Sequence, residues 1–138
     1  RRGQAREGER AIPADERIAR NIKQGNFQRA ADLYFALGGR EERRNLASED
    51  ILALGDYLLQ AGRYDQALSL FRRVIAERPS DPNLDRAYLG AGKAMSHNPR
   101  GLTSAYHYFL SALDVARTEE TAREARGHLR SIERSAEG

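Results

Sequence analysis

The feature that most constrains this chain is a repeat. Gly25, Phe27, Ala30 and Tyr34 recur as Gly62, Tyr64, Ala67 and Phe71 at a constant offset of 37 residues, and Ala67, Phe71 and Val74 recur as Ala105, Phe109 and Ala112 at an offset of 38. A period in the high thirties that preserves small and aromatic positions points to stacked helical hairpins, each too small to bury its own apolar face. The one-residue difference falls in His97, Asn98, Pro99, Arg100 and Gly101, a run of turn formers that can absorb an insertion.

The middle copy shows why each unit is two helices. Ile51, Leu52, Leu54, Leu58 and Leu59 fall at the three- and four-residue spacing of an amphipathic helix, with Ser48 placed to cap its start. Ala61, Gly62 and Arg63 interrupt the pattern. Tyr64, Ala67, Leu68, Phe71, Val74 and Ile75 then give a second stripe, ended by Pro79. Two such helices around a glycine turn form an antiparallel hairpin. In the third copy Tyr88, Ala91, Gly92 and Met95 occupy the first helix and Ala105, Phe109 and Ala112 the second, with Asp81 and Pro82 predicted to start it. The first copy has a convincing second helix (Ala30, Leu33, Tyr34, Leu37) after a first helix, from about Pro13 to Gln24, with Ile18, Ala19 and Ile22 as its apolar face.

Ile51, Leu54, Gly55 and Leu58, followed by Gly62, Tyr64, Ala67, Phe71 and Pro79, resemble the tetratricopeptide repeat, with Ile for the usual tryptophan and Leu for the usual first-helix tyrosine. The resemblance extends over roughly residues 12–117. It implies an all-α fold, an α-solenoid of three helical hairpins in a right-handed superhelix, closed by a C-terminal capping helix. The expected organisation is a basic tail over 1–11, repeats over about 12–47, 48–84 and 85–117, and the cap over 118–138. That last segment carries Ala122, Ala125, Leu129 and Ile132 on one face and charges elsewhere, after a capping Thr118.

The resemblance also implies a function, recognition of a peptide or protein partner in a concave groove lined by first helices. The corresponding positions are Asp15, Ala19, Ile22 and Lys23 in the first copy. In the second they are Glu49, Leu52, Asp56, Leu59 and Gln60, and in the third Arg86, Leu89, Lys93, Ser96 and His97. Leu52, Leu59 and Leu89 are expected to form an apolar floor, with acids at one end (Asp15, Glu49, Asp56) and cations at the other (Arg86, Lys93). The competing account of each leucine is ordinary packing against the second helices. Members that hold the acidic tails of heat-shock chaperones use a clamp of two asparagines, two lysines and an arginine. The matching places here are Asp15, Ala19, Ala53, Arg86 and Gly90, so only Arg86 suits a terminal carboxylate.

Composition narrows the alternatives. The chain has no cysteine, which excludes disulfides, thiolate metal sites and a cysteine nucleophile. His97, His107 and His128 are too far apart for an HExxH pair, and no cofactor, metal or small-molecule substrate is expected. Gly90, Ala91, Gly92 and Lys93 imitate a phosphate loop, but Ala87 and Ala94 stand where its leading glycine and hydroxyl belong. The reading is therefore non-catalytic.

Of 23 basic residues only Lys23 and Lys93 are lysine, and 20 carboxylates leave a net charge of +3. Arginines at 40, 43 and 44, at 72, 73 and 78, and at 117, 123, 126, 130 and 134 suggest an RNA-binding stripe. Glutamates interleave with them, and pairs such as Glu119 with Arg123 favour solvated helix faces over nucleic acid. The chain begins without methionine and reads as a fragment or processed form. Its longest apolar runs are far short of the roughly twenty residues of a membrane span. A cytoplasmic location is expected, either free or as a cytoplasmic domain of a membrane protein. A monomer or weak homodimer is expected, and an intramolecular or self-association scaffold is the alternative to peptide capture.

Overall fold

The computed structural model describes residues 12–37 and 45–137. The expected basic tail over 1–11 and the arginines at 40, 43 and 44 lie outside the described residues. Among those described the fold is all-α, a helical-repeat architecture of seven helices: α1 (Ala14–Lys23), α2 (Phe27–Ala36), α3 (Ser48–Gln60), α4 (Tyr64–Glu77), α5 (Leu84–Ser96), α6 (Leu102–Asp114) and α7 (Glu119–Glu137). The chain forms two compact units, one ending at Asp50 and the other starting at Ile51.

In the first unit α1 and α2 pack as a hairpin. Ile18 and Ile22 of α1 and Ala30, Ala31 and Tyr34 of α2 are buried, as are Leu37 and Leu46. Gly25 makes the turn in the left-handed region (φ 78°). Its N–H reaches the carbonyl of Ile22, and the N–H of Asn26 reaches that of Asn21. This is the Schellman closure, which satisfies two carbonyls the helix end would otherwise leave open.

The second unit uses the same device at Gly62 (φ 76°). The Gly62 N–H reaches Leu59 O at 3.1 Å and the Arg63 N–H reaches Leu58 O at 2.9 Å. Neither glycine has a neighbour within 4 Å of where a Cβ would stand, so backbone conformation alone requires it. The turn between α5 and α6 has no such residue. There Gly101 is buried, and a Cβ on it would collide with the backbone carbonyl oxygen of Met95, so close approach rather than backbone conformation calls for glycine.

Packing in this unit centres on two phenylalanines. Phe71 of α4 is fully buried, its ring between Gly55 of α3 and Gly90 of α5. A Cβ on Gly55 would lie 2.7 Å from that ring, and one on Gly90 would also overlap it. Phe109 of α6 stands against Gly92 of α5 in the same manner, at 2.6 Å. The glycines imitating a phosphate loop are thus mid-helix notches that admit aromatic rings. Ala105, Phe109 and Ala112 join Leu89, Ala125 and Leu129 in one apolar cluster that seats α7 against α5 and α6.

One helix start differs from the sequence expectation and another matches it. Helix α5 begins at Leu84, because the Asp81 carboxylate accepts the Asn83 N–H at 2.8 Å and the Asp81 carbonyl accepts that of Leu84. Asp81 and Pro82 therefore form a turn ahead of the helix rather than its cap and first residue. Thr118 caps α7 as expected, its Oγ1 accepting the Thr121 N–H at 3.1 Å.

Candidate functional site

Within the second unit, α3, α5 and α7 line a groove made of two adjoining cavities. The first, about 580 Å3, is bounded by Leu52 and Asp56 of α3, by α5 from Asp85 to Lys93, and by Thr121 and Glu124 of α7. The second, about 510 Å3, is bounded by Asp56, Leu59, Gln60, Tyr64, Lys93, Ser96, His97 and His128. Asp56 and Lys93 belong to both, so they mark the midpoint.

All nine groove positions read from the sequence between Leu52 and His97 line one or both cavities: Leu52, Asp56, Leu59, Gln60, Arg86, Leu89, Lys93, Ser96 and His97. The helical period explains this. Leu52, Asp56 and Leu59 fall three and four apart on α3, and Arg86, Leu89, Lys93 and Ser96 do so on α5. The other five, Asp15, Ala19, Ile22, Lys23 and Glu49, belong to the first unit and line neither cavity. Ile22 is buried there beside Ile18 as part of the hairpin core.

The apolar floor is shallower than the sequence suggests. Leu52 is 1% exposed and Leu89 7%, so both are core residues whose edges close the groove from below. Leu59 is the one leucine of the three that is only half-buried.

Asp56 does not stand at the opposite end from the cations, which corrects the sequence expectation for that residue. Arg86 reaches across from α5 to Asp56 of α3, Nη2 to Oδ2 3.5 Å, and Lys93 reaches the other way to Glu124 of α7, Nζ to Oε2 2.6 Å. The reason is geometric: Arg86 and Lys93 are two turns apart on one face of α5, with a carboxylate from a different neighbour opposite each. Both pairs are more than a third exposed, so each contributes only about 0–1 kcal/mol to stability. Their effect is to neutralise the groove from within. Burial pushes the Asp56 carboxyl above its ordinary value, opposed by Arg86 and Lys93, with Glu124 adding to the rise.

Helix α7, expected only as a solvating cap, supplies a wall. Its signal in the sequence is Glu124 and His128, four apart and beside the apolar stripe. His128 lies flat on Phe109, centroids 4.5 Å apart and planes within 5°, with Nε2 3.7 Å from Glu124 Oε2. Burial pushes the imidazole below its ordinary value, Glu124 opposes that, and Lys93 adds to it. His97, exposed at the end of α5, stacks on Tyr64 with centroids 3.9 Å apart and planes within 6°. His107 is an exposed residue of α6 beside Tyr106.

Asp85 was not legible as a site residue. It is 4% exposed, and its Oδ2 accepts the backbone N–H of Arg117, 32 residues on, at 3.1 Å. That bond fixes the entrance of α7 against the start of α5 and so holds the groove's far wall. Among the arginines of the proposed stripe, Arg73 pairs with Glu77 at 2.9 Å and Arg126 with Glu119 at 2.7 Å. Glu119 thus serves Arg126 two turns away rather than Arg123. Among the described residues no group of three or more His, Cys, Asp or Glu side chains suits a metal ion, and no helix is long and apolar enough to cross a membrane.

Residues 48–91 match the family model of the tetratricopeptide repeat, a span that covers α3, α4 and the first half of α5. No curated protein and no solved structure gives a match to the chain.

Proposed function

Taking the chain as a tetratricopeptide-repeat protein, we propose that it binds a peptide segment of a partner protein in the groove between α3, α5 and α7. Tetratricopeptide repeats generally mediate protein–protein interaction and the family is typically non-catalytic. The observation that carries the narrower reading is the convergence of α3 and α5 side chains on two cavities that share Asp56 and Lys93. Concave sites with an apolar base and a few placed polar groups are where ligands are held. Arg86, already engaged by Asp56, and Gly90, closed by Phe71, argue against a carboxylate clamp.

The test is site-specific photocrosslinking. A photoreactive phenylalanine analogue at Gln60, on the groove rim, is expected to capture the partner from host lysate, and the same group at Leu110 is not. Crosslinks obtained only at Leu110 overturn the groove.

A second reading, self-association, is favoured by one observation: Leu102, Leu110 and Val115 are exposed to 39%, 40% and 38% along α6 and its end. Exposed large apolar side chains on one short stretch of chain offer a contact surface. A sedimentation coefficient that rises with concentration in the wild type and not in Leu102→Ser/Leu110→Ser supports it, and a concentration-independent monomer excludes it.

A further inference from the structure

We infer that the cavity between the Tyr64–His97 stack and the Phe109–His128 stack receives an aromatic side chain from a partner segment of low net charge. This deepens the groove reading above and rests on it.

Three features of that cavity select the occupant. Two stacked ring pairs border it from two directions. His97 is held parallel to Tyr64 on one side, and His128 parallel to Phe109 on the other. Because Phe109 is fully buried and covers one face of His128, the 38% of the His128 side chain that remains exposed is its other face and edge. Two rings fixed by stacking partners are pre-organised, so an incoming ring orders little when it docks.

The second feature is charge. Asp56 and Lys93 both border the cavity, each paired to a groove neighbour, Arg86 and Glu124. A charged partner side chain must therefore compete with Arg86 or Lys93, or with Asp56 or Glu124, for a counter-charge that is already engaged. A neutral ring meets no such competition. The third feature is size and polarity. A volume of about 510 Å3 exceeds that of any single side chain, and Leu59 supplies apolar contact while Gln60 and Ser96 can bond the backbone on either side.

The experiment is an NMR titration of the full chain with three blocked amino acids: N-acetyl-L-tryptophanamide, N-acetyl-L-leucinamide and N-acetyl-L-argininamide. The tryptophan probe is expected to shift the ring resonances of His97 and His128 saturably, with an affinity about fivefold above that of either other probe, the factor that about 1 kcal/mol of ring–ring preference gives. His97→Ala, at an exposed position, is expected to weaken it while leaving the circular dichroism unchanged, and Leu102→Ser on α6 is expected to leave it unaltered. Equal or tighter binding of the leucine or arginine probe, shifts outside the cavity, or no saturable shift up to the probe's solubility limit overturns the inference. If the tryptophan probe fails while the partner still crosslinks at Gln60, the aromatic occupant alone is wrong. If it saturates the cavity while the partner crosslinks only at Leu110, the groove reading falls and takes the occupant with it.

Discussion

The ring of Phe71 lies against the Cα of Gly90 with no room for a methyl group between them, and Gly55 closes on the same ring from the next helix. This three-way contact fixes how near α3, α4 and α5 approach, and therefore the width of the groove on their other side. In a helix interior Gly→Ala ordinarily gains about 1 kcal/mol of propensity. At Gly90 the clash outweighs it, because the ring is caged on both sides and cannot swing away. Gly90→Ala is expected to lose about 1–3 kcal/mol, and Phe71→Ala about 3–5 kcal/mol by emptying the cage, both read from urea midpoints.

Gly62 and Gly127 give the opposite pair of outcomes although both face open space. Gly62 sits at φ 76° in the Schellman turn, so Gly62→Ala should cost about 1 kcal/mol of backbone strain. Gly127 lies inside α7 with helical backbone, and Gly127→Ala should stabilise by up to about 1 kcal/mol. Thermal unfolding of the two variants, with equal effects in sign, would contradict the assignment.

Removing the Asp85 carboxylate leaves the Arg117 N–H without its acceptor at a partly buried site. Asp85→Ala is expected to destabilise by about 1–3 kcal/mol. The local signature is faster amide exchange over Arg117–Thr121, with α1 and α2 unaffected. Uniform exchange across all helices would mean that Asp85 acts on the whole fold and not on the entrance of α7.

Two groove residues titrate in ways that set the pH response. The His128 pKa is depressed below 6.5, so the unfolded chain binds its proton first. Its contribution is complete above about pH 6.5 and is lost as the pH falls toward the lowered value. His128→Gln should flatten the melting temperature between pH 7 and pH 5. Asp56 runs the other way. Its pKa is raised above 3.8, so its contribution is present below that value and is lost as the pH rises through the folded pKa. Asp56→Asn should therefore melt higher than wild type at pH 7 by more than it does at pH 4.

What the sequence made legible was local. Gly25 and Gly62 announce their turns because a left-handed residue is a single-position demand. The helix faces follow from three- and four-residue spacing, which is why Leu52, Asp56 and Leu59 of α3 and Arg86, Leu89, Lys93 and Ser96 of α5 could be named in advance, whereas Asp85 and Gly90 could not. What stayed hidden depends on pairing between distant segments. Nothing near Asp85 in sequence indicates that its acceptor role is played toward Arg117. Arg86 and Lys93 read as a cationic end because their carboxylate partners come from helices on opposite sides of α5. Leu52 is apolar whether it floors a groove or fills a core, and only its burial decides between the two.

The internal pairing of Arg86 with Asp56 and of Lys93 with Glu124 has a kinetic consequence. Long-range steering needs an uncompensated field, and each cation here is matched within 4 Å by its own carboxylate. Partner capture at this groove should thus proceed at an on-rate nearly independent of ionic strength, with discrimination expressed in how long the complex lasts rather than in how fast it forms.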